Sequence, residues 1–180
     1  IEMTSQTNYL LDWPERATIN TQRGAVTGLS NGDSLAFLGL PYARPPIGER
    51  RFKPPEPLDQ SFGDIDATEF PNMCIQDEPS SFFGTSRFTR SEDCLYLNIF
   101  TPSTDGKVRP VLVWIHGGSS SGSANNTDGS ILAEQGNVVV VAINFRVGIL
   151  GFLDLSGYGD EFDGTANNGI RDQIQALKWV

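Results

Sequence analysis

Three short apolar runs place the strongest limit on how this chain can fold. They occupy residues 95–100, 110–115 and 137–144. The second and third runs are nearly continuous in apolar residues, which is typical of strands covered on both faces of a sheet. The sequence therefore predicts an α/β fold with a central, mostly parallel sheet.

Two helices are predicted beside this sheet. The first, over 130–135, separates the second and third strands, and the second covers 170–180. In the second helix Ile170, Ile174 and Leu177 recur at helical spacing and form one apolar face. Because such a sheet needs more helices and strands to cover its faces and edges, we expect the chain to be a fragment of a larger domain.

The first half of the chain has a different character. Residues 1–16 are polar and are expected to form an N-terminal arm, so the main domain is assigned to 17–180. Segments 17–29 and 34–40 flank an Asn-Gly turn and predict small antiparallel strands. A proline-rich segment at 41–57 and a stretch without periodicity at 58–91 predict irregular structure and a long loop.

Composition excludes several classes of partner. With 13 basic and 22 acidic residues, the net charge of −9 repels nucleic acid. The longest apolar run, 138–143, is far shorter than the roughly 18 residues of a membrane-spanning helix. The chain begins at Ile1, and we expect a secretory signal to have been removed or to lie outside it.

A glycine loop follows the second strand and is the sharpest chemical motif. Glycines directly after a buried strand allow backbone N–H groups to point toward an anion, although a tight strand exit explains them equally well. Gly117 and Gly122 have the gap of a phosphate-binding loop, but no lysine follows at Ser123. His116, the sole histidine, fits a support for this loop better than a general base.

The remaining motifs are weaker. No serine is expected to sit in a G-x-S-x-G elbow, the strand-to-helix turn that presents a nucleophile on such a sheet. Gly157 and Gly159 flank Tyr158, and the serine-rich runs are expected to lack the flanking pattern. Carboxylates at 154–163 lack EF-hand spacing, so neither a metal nor a cofactor is expected. Asn125 begins one possible N-glycosylation triplet. Cys74 and Cys94 are compatible with one disulfide or two thiols.

Five sequence blocks together resemble the type-B carboxylesterase family. This family of α/β-hydrolases includes cholinesterases, carboxylesterases, fungal lipases and neuroligins. The resemblance covers roughly residues 17–180. The blocks are FLGLPYA at 37–43 with the prolines and Arg51-Phe52 that follow, EDCLYLNIFTP at 92–102, the strand and glycine loop at 111–123, NFRVG at 144–148 with GFL at 151–153, and NGIRDQ through ALKWV at 168–180.

The resemblance implies three structural pairs. Cys74 and Cys94 correspond to the first disulfide of the family, which closes a loop over the active-site gorge. Two ion pairs are also implied, one between Arg51 and Glu92 and one between Arg146 and Asp172. All three pairs are structural assignments.

The resemblance also implies an oxyanion hole. The family usually carries HGGGF where this chain has His116, Gly117, Gly118 and two serines. Gly118 and Ser119 stand at the positions whose N–H groups bind the carbonyl oxygen, while His116 and Gly117 support the loop. The family's catalytic serine, acid and histidine correspond to positions beyond this chain.

The resulting hypothesis is a secreted carboxylic ester hydrolase, a carboxylesterase or lipase that works through a serine acyl-enzyme. Its partners would be a small-molecule or lipid ester and the remainder of the same polypeptide, and the chain by itself is expected to be inactive. Two alternatives remain open: a non-catalytic adhesion or binding homologue, prompted by the serines in the glycine loop, and an inactive truncated product.

Overall fold

The structure is a computed structural model that describes residues 13–58, 63–77, 88–118 and 120–180. Nine strands and three α-helices occur in these ranges. The strands are β1 Glu15–Thr21, β2 Gly24–Ser30, β3 Leu35–Pro41, β4 Ile65–Asp66, β5 Met73–Cys74, β6 Arg90–Ser91, β7 Tyr96–Thr101, β8 Val111–Ile115 and β9 Val139–Ile143. The helices are α1 Ser130–Gly136, α2 Gly148–Phe152 and α3 Asn168–Trp179.

Seven of these strands form one mixed sheet. Its order is β1-β2-β3-β7-β9-β8, with β4 beside β2. Neighbours from β1 to β9 pair antiparallel, whereas β8 and β9 are parallel and joined through α1. Strands β5 and β6 form a separate parallel pair. The predicted N-terminal antiparallel strands and the three apolar strands are thus confirmed, and β8–β9 is the parallel part of the central sheet.

The core lies on both faces of the sheet because side chains alternate along the strands. Phe37, Leu97 and Val141 belong to the larger cluster on one face. Phe100 and Val140 belong to a smaller cluster on the other face, against which α1 packs through a buried alanine. Asn137 ends α1 in a left-handed conformation, so the chain turns directly into β9.

Strand β8 corrects one expectation. Its apolar residues predicted a strand covered on both faces, yet Val111 and Trp114 are about half exposed, at 50% and 47%. β8 is the edge strand of the described sheet, and α1, the helix that packs on this part of the sheet, makes its main contacts with β7 and β9. Apolar composition predicted the strand but not how exposed its two faces are.

The predicted second helix is confirmed as α3. The apolar residues Ile170, Ile174 and Leu177, predicted to share one face, are similarly exposed at 44–49%. The buried residues of the helix include Asp172 and Ala176, and α3 packs against α2. Asp172 forms the buried ion pair that is described below.

The N-terminal boundaries also change. Most of the predicted arm lies outside the described residues, and β1 begins at Glu15, within the range assigned to the arm. Trp13 packs against the smaller core cluster. The predicted loop at 58–91 contains the two-residue strands β4, β5 and β6 in its described parts.

The proline-rich segment is irregular, as predicted, with one short 3-10 turn at Gly48–Arg50. Within the four described ranges, no helix combines the length and apolar character needed to cross a bilayer.

Candidate active site

The glycine loop leaves the end of β8 and is open to solvent. Gly118 is exposed and has a φ of +92°, a conformation that favours glycine. A β-carbon at Gly118 would also collide with the carbonyl oxygen of Ser121. Ser119, the second predicted oxyanion donor, lies outside the described residues. The described part of the loop thus presents a backbone that requires glycine at position 118.

His116, at the start of this loop, is enclosed in the fold rather than exposed to solvent. Its ring is buried and stacks on Phe145, with 4.1 Å between centroids and planes 9° apart. Burial lowers the pKa of His116, opposed in part by a contact between Nδ1 and the Gly117 carbonyl oxygen at 3.2 Å. Because a carbonyl oxygen only accepts, this contact is a hydrogen bond in the neutral tautomer that carries its proton on Nδ1. This geometry suits a support for the loop.

A buried amide network holds the segment that follows the loop. The Asn144 Oδ1 atom accepts hydrogen bonds from Ser123 Oγ at 3.1 Å and Ala124 N at 2.8 Å. The Tyr42 hydroxyl donates to the Asn144 carbonyl oxygen at 2.6 Å. Sequence reasoning missed Asn144 as a loop anchor because its partners are 19 or more positions away.

Asn125 belongs to the same network, which corrects the glycosylation expectation. Its side chain is 2% exposed, and its Nδ2 atom donates to the Pro71 carbonyl oxygen at 2.6 Å. Its Oδ1 atom accepts from Asn144 Nδ2 at 3.3 Å. The nitrogen that would carry a glycan is therefore enclosed in the folded chain, and Asn125 serves as a buried structural amide.

The disulfide between Cys74 and Cys94 is present and links β5 to the start of β7. Both cysteines are buried. Two residues after Cys74, the Gln76 side chain contacts both backbone polar atoms of Gly122 in the glycine loop. The disulfide segment therefore adjoins the candidate site, and Gln76 is a second loop contact that sequence reasoning missed.

The Arg51 and Glu92 side chains meet near this disulfide. Arg51 Nε donates to Glu92 Oε2 at 2.6 Å, with the two side chains 48% and 24% exposed. The hydrogen bond to Glu92 raises the pKa of Arg51. This contact connects the proline-rich segment to the residues just before β7.

The Arg146 and Asp172 side chains form a fully enclosed pair. The guanidinium donates twice to the carboxylate, from Nε at 2.8 Å and from Nη2 at 2.7 Å, and the Arg146 backbone N–H adds a third bond at 3.0 Å. Burial raises the pKa of Asp172, and these bonds oppose the rise. A further bond from Arg146 Nη1 to the Lys53 carbonyl oxygen, 2.8 Å long, ties the proline-rich segment to the same centre.

Of the carboxylates at 154–163, Asp154 serves local structure. Asp154 accepts from the backbone and hydroxyl of Ser156, at 3.0 and 2.7 Å, which lowers its pKa. Among the residues that the structure describes, no group of three or more His, Cys, Asp or Glu side chains is arranged to hold a metal ion.

Comparison with known proteins gives this scaffold a family. The sequence profile of the Carboxylesterase family matches residues 15–180. The chain belongs to the carboxylesterase family. It is 44% identical to the para-nitrobenzyl esterase of Bacillus subtilis over an alignment of 168 residues. It is 39% identical to mouse neuroligin-3 over an alignment that is 210 residues long and covers 91% of this chain.

Solved structures agree with the sequence comparison. The carboxylesterase EST55 of Geobacillus stearothermophilus superimposes with a TM-score of 0.79 and 45% identity over 91% of this chain. The α/β-hydrolase fold class is thereby confirmed. The chain spans 34% of the Bacillus relative, 25% of neuroligin-3 and 33% of EST55, although 90%, 91% and 91% of this chain is matched.

The carboxylesterase nucleophile needs a strand-turn-helix context, and this requirement bears on two serines. Contrary to expectation, the bare G-x-S-x-G pattern occurs in the chain, once with Ser30 and once with Ser120 at its centre. Ser30 ends β2 at an antiparallel turn, and its Oγ atom accepts from Gly32 N at 3.1 Å. Ser120 lies in the glycine loop itself, which leads to a 3-10 turn at Ala124–Asn126. Neither serine lies in an elbow between a strand and an α-helix.

Proposed function

We propose that the full-length protein hydrolyses carboxylic esters through a serine acyl-enzyme. In this proposal the chain supplies the first strands of the sheet and the loop that stabilises the reacting carbonyl oxygen. The observation that carries it is the glycine loop at the end of β8, with Gly118 exposed at a φ of +92°. Membership of the carboxylesterase family, matched over 15–180, supports the same assignment.

The chemistry assigned to this chain is electrostatic. When the serine Oγ attacks the ester carbonyl, its proton passes to a histidine and the carbonyl oxygen becomes an oxyanion. The N–H groups of Gly118 and Ser119 would donate to this oxygen, and the residue after the serine would supply a third N–H. Loss of one such donor typically lowers kcat about 10²–10³-fold. The serine, acid and histidine are assigned to the polypeptide beyond this chain.

The remaining predicted residues receive supporting roles. His116 and Gly117 would hold the base of the loop, and the two arginine–carboxylate pairs would fix loops to the sheet. We propose small-molecule or lipid esters as substrates, and the net charge of −9 disfavours nucleic acid as a partner. The proposed reaction uses no cofactor and no metal.

We propose an extracellular location. Its support is the Cys74–Cys94 disulfide, because disulfides form and persist in oxidising compartments. Equal labelling of the cysteines by a thiol reagent in unfolded protein, with and without prior reduction, would contradict the proposal.

The test of function is turnover of short p-nitrophenyl esters by the full-length protein. The proposal predicts saturable hydrolysis that is abolished by a fluorophosphonate, together with stoichiometric labelling of one serine. Absence of both turnover and labelling would contradict it.

A second candidate is a non-catalytic binding protein of the same fold. Two observations favour it: serines at 119 and 120 in the glycine loop, and the 39% identity to neuroligin-3. The same fluorophosphonate experiment separates the candidates, because a binding protein without a working triad would remain unlabelled. If the 180-residue chain were the whole product, it would also be unlabelled and inactive.

A further inference from the structure

We propose that Gln76 is a positioning residue for the glycine loop. Its amide group holds both backbone polar atoms of Gly122 and thereby sets where Gly118 lies. The inference rests on the proposed esterase function of this loop, and the experiment below separates the failure of one from the failure of the other.

The contact between Gln76 and Gly122 is reciprocal. Gly122 N donates to Gln76 Oε1 at 2.7 Å, and Gln76 Nε2 donates to the Gly122 carbonyl oxygen at 2.9 Å. A primary amide can accept from an N–H through its oxygen and donate to a C=O through its nitrogen at the same time. Gln76 therefore engages the backbone of Gly122 much as a neighbouring strand would.

Gly122 is the point at which the loop closes on its own beginning. It has a φ of +147°, and a β-carbon there would collide with His116 Nδ1 and lie 2.6 Å from the Gly117 carbonyl oxygen. Between described residues, no backbone–backbone hydrogen bond begins or ends within 117–121. The position of Gly118 is consequently set by the two ends of the loop, at His116 and at Gly122.

Gln76 is itself held in place. It lies two residues after Cys74, and its Nε2 atom also donates to the Cys74 carbonyl oxygen at 3.0 Å. Cys74 is buried, belongs to β5 and is covalently linked to Cys94. The disulfide segment thus provides a fixed frame from which the Gln76 amide reaches the glycine loop 46 positions away.

The expected effect of displacing Gly118 on the kinetics depends on when the hydrogen bonds to the oxyanion strengthen during the reaction. These bonds strengthen as the carbonyl oxygen becomes negative, so a displaced Gly118 N–H lowers kcat more than it raises KM. A displacement of about 1 Å can cost about 10²-fold in rate. A role confined to stability would leave kcat of the folded protein unchanged.

The experiment compares three variants of the full-length protein. Gln76→Leu removes both hydrogen bonds with Gly122, together with the one to the Cys74 carbonyl oxygen. Gln76→Glu keeps the acceptor for Gly122 N but donates to the Gly122 carbonyl only when protonated. Gln135→Leu, on the exposed side of α1, is the matched control for the glutamine-to-leucine change.

For p-nitrophenyl butyrate, we expect Gln76→Leu to lower kcat at least about 10-fold, with a smaller change in KM and no change for Gln135→Leu. The ratio of kcat for Gln76→Glu to that of the unmodified protein should fall as pH rises and the carboxylate ionises. If Gln76→Leu fails to fold, the Gln76→Glu pH series alone decides. Unchanged kcat in Gln76→Leu or a flat ratio for Gln76→Glu would overturn the inference.

Hydrogen exchange at 117–124 separates the two hypotheses. Faster exchange in Gln76→Glu at pH 8 than at pH 5, after correction for intrinsic rates and relative to the unmodified protein, supports the Gln76 contact even if no ester is hydrolysed. In that case the proposed function fails and the positioning contact stands. Equal corrected exchange in both proteins would overturn the contact itself.

Discussion

Two neighbouring regions of the molecule are held by different means. In the first, the Arg146–Asp172 pair is 3% and 0% exposed and is joined by three hydrogen bonds. In the second, the Arg51–Glu92 pair is 48% and 24% exposed, and the adjacent segment carries the Cys74–Cys94 disulfide. The comparison teaches that the two ion pairs differ in burial, and that the region with the exposed pair has an additional covalent link.

The largest expected effect comes from removing the buried carboxylate. Asp172→Asn leaves the Arg146 guanidinium enclosed without a counter-charge, and breaking such a pair costs about 3–5 kcal/mol. Urea unfolding of the full-length protein should show this loss in the domain that contains α3. Asp160→Asn, an exposed carboxylate change, should leave the transition unchanged. Equal midpoints for the two variants would contradict the contrast.

Breaking the covalent anchor should have the second largest effect. The disulfide closes a loop with a sequence separation of 20, and the chain-entropy model assigns such a loop about 3 kcal/mol. The double variant Cys74→Ser, Cys94→Ser should lower the unfolding free energy by about that amount. A midpoint that does not move, or non-reducing peptide maps without a Cys74–Cys94 link, would contradict the expectation.

Acidification should affect the region of His116, whose ring stacks on Phe145 beside Arg146. Burial lowers the folded-state pKa of His116 below its ordinary value of 6.5. The unfolded chain therefore takes up a proton at higher pH than the folded chain, and stability falls as pH drops below about 6.5, by at most about 1.4 kcal/mol per pH unit. His116→Phe should flatten the stability profile between pH 7 and 5. The same slope in both proteins would show that His116 does not contribute.

The smallest effect is expected for the exposed ion pair. A double-mutant cycle with Arg51→Gln and Glu92→Gln should give a weak coupling that disappears at 1 M salt, because solvent and ions screen the two groups. Urea unfolding at low and high salt measures it. A coupling as large and as salt-resistant as that of Arg146 with Asp172 would remove the contrast between the two regions.

Local sequence predicted the secondary-structure elements well, but it did not predict which parts of them are buried. The apolar runs predicted β7, β8 and β9, because a strand needs only a few consecutive side chains to specify it. They did not predict that Trp114 is half exposed, since covering depends on neighbours that period alone does not specify. Similarly, the apolar spacing in α3 indicated a helix but did not indicate that its buried residues include Asp172 and Ala176.

At the candidate site, too, local sequence patterns did not predict contacts between residues that are distant in the sequence. A three-residue motif proposed Asn125 for glycosylation, but its enclosure arises from Pro71 and Asn144, which are distant in sequence. The contacts of Gln76 with Gly122 could not be predicted from the sequence either, because they span 46 positions and follow no local pattern. The ion pairs and the disulfide were reached through the family resemblance alone, which reflects tertiary contacts that composition and periodicity do not encode.

The central claim is that the glycine loop binds the oxyanion of an ester hydrolase. A crystal structure of the full-length protein with a trifluoromethyl ketone bound to its serine tests it most directly. The claim predicts that the negatively charged oxygen of the adduct lies about 2.7–3.1 Å from the Gly118 nitrogen. An adduct whose oxygen points away from Gly118, or lies beyond hydrogen-bond distance of its nitrogen, would contradict it.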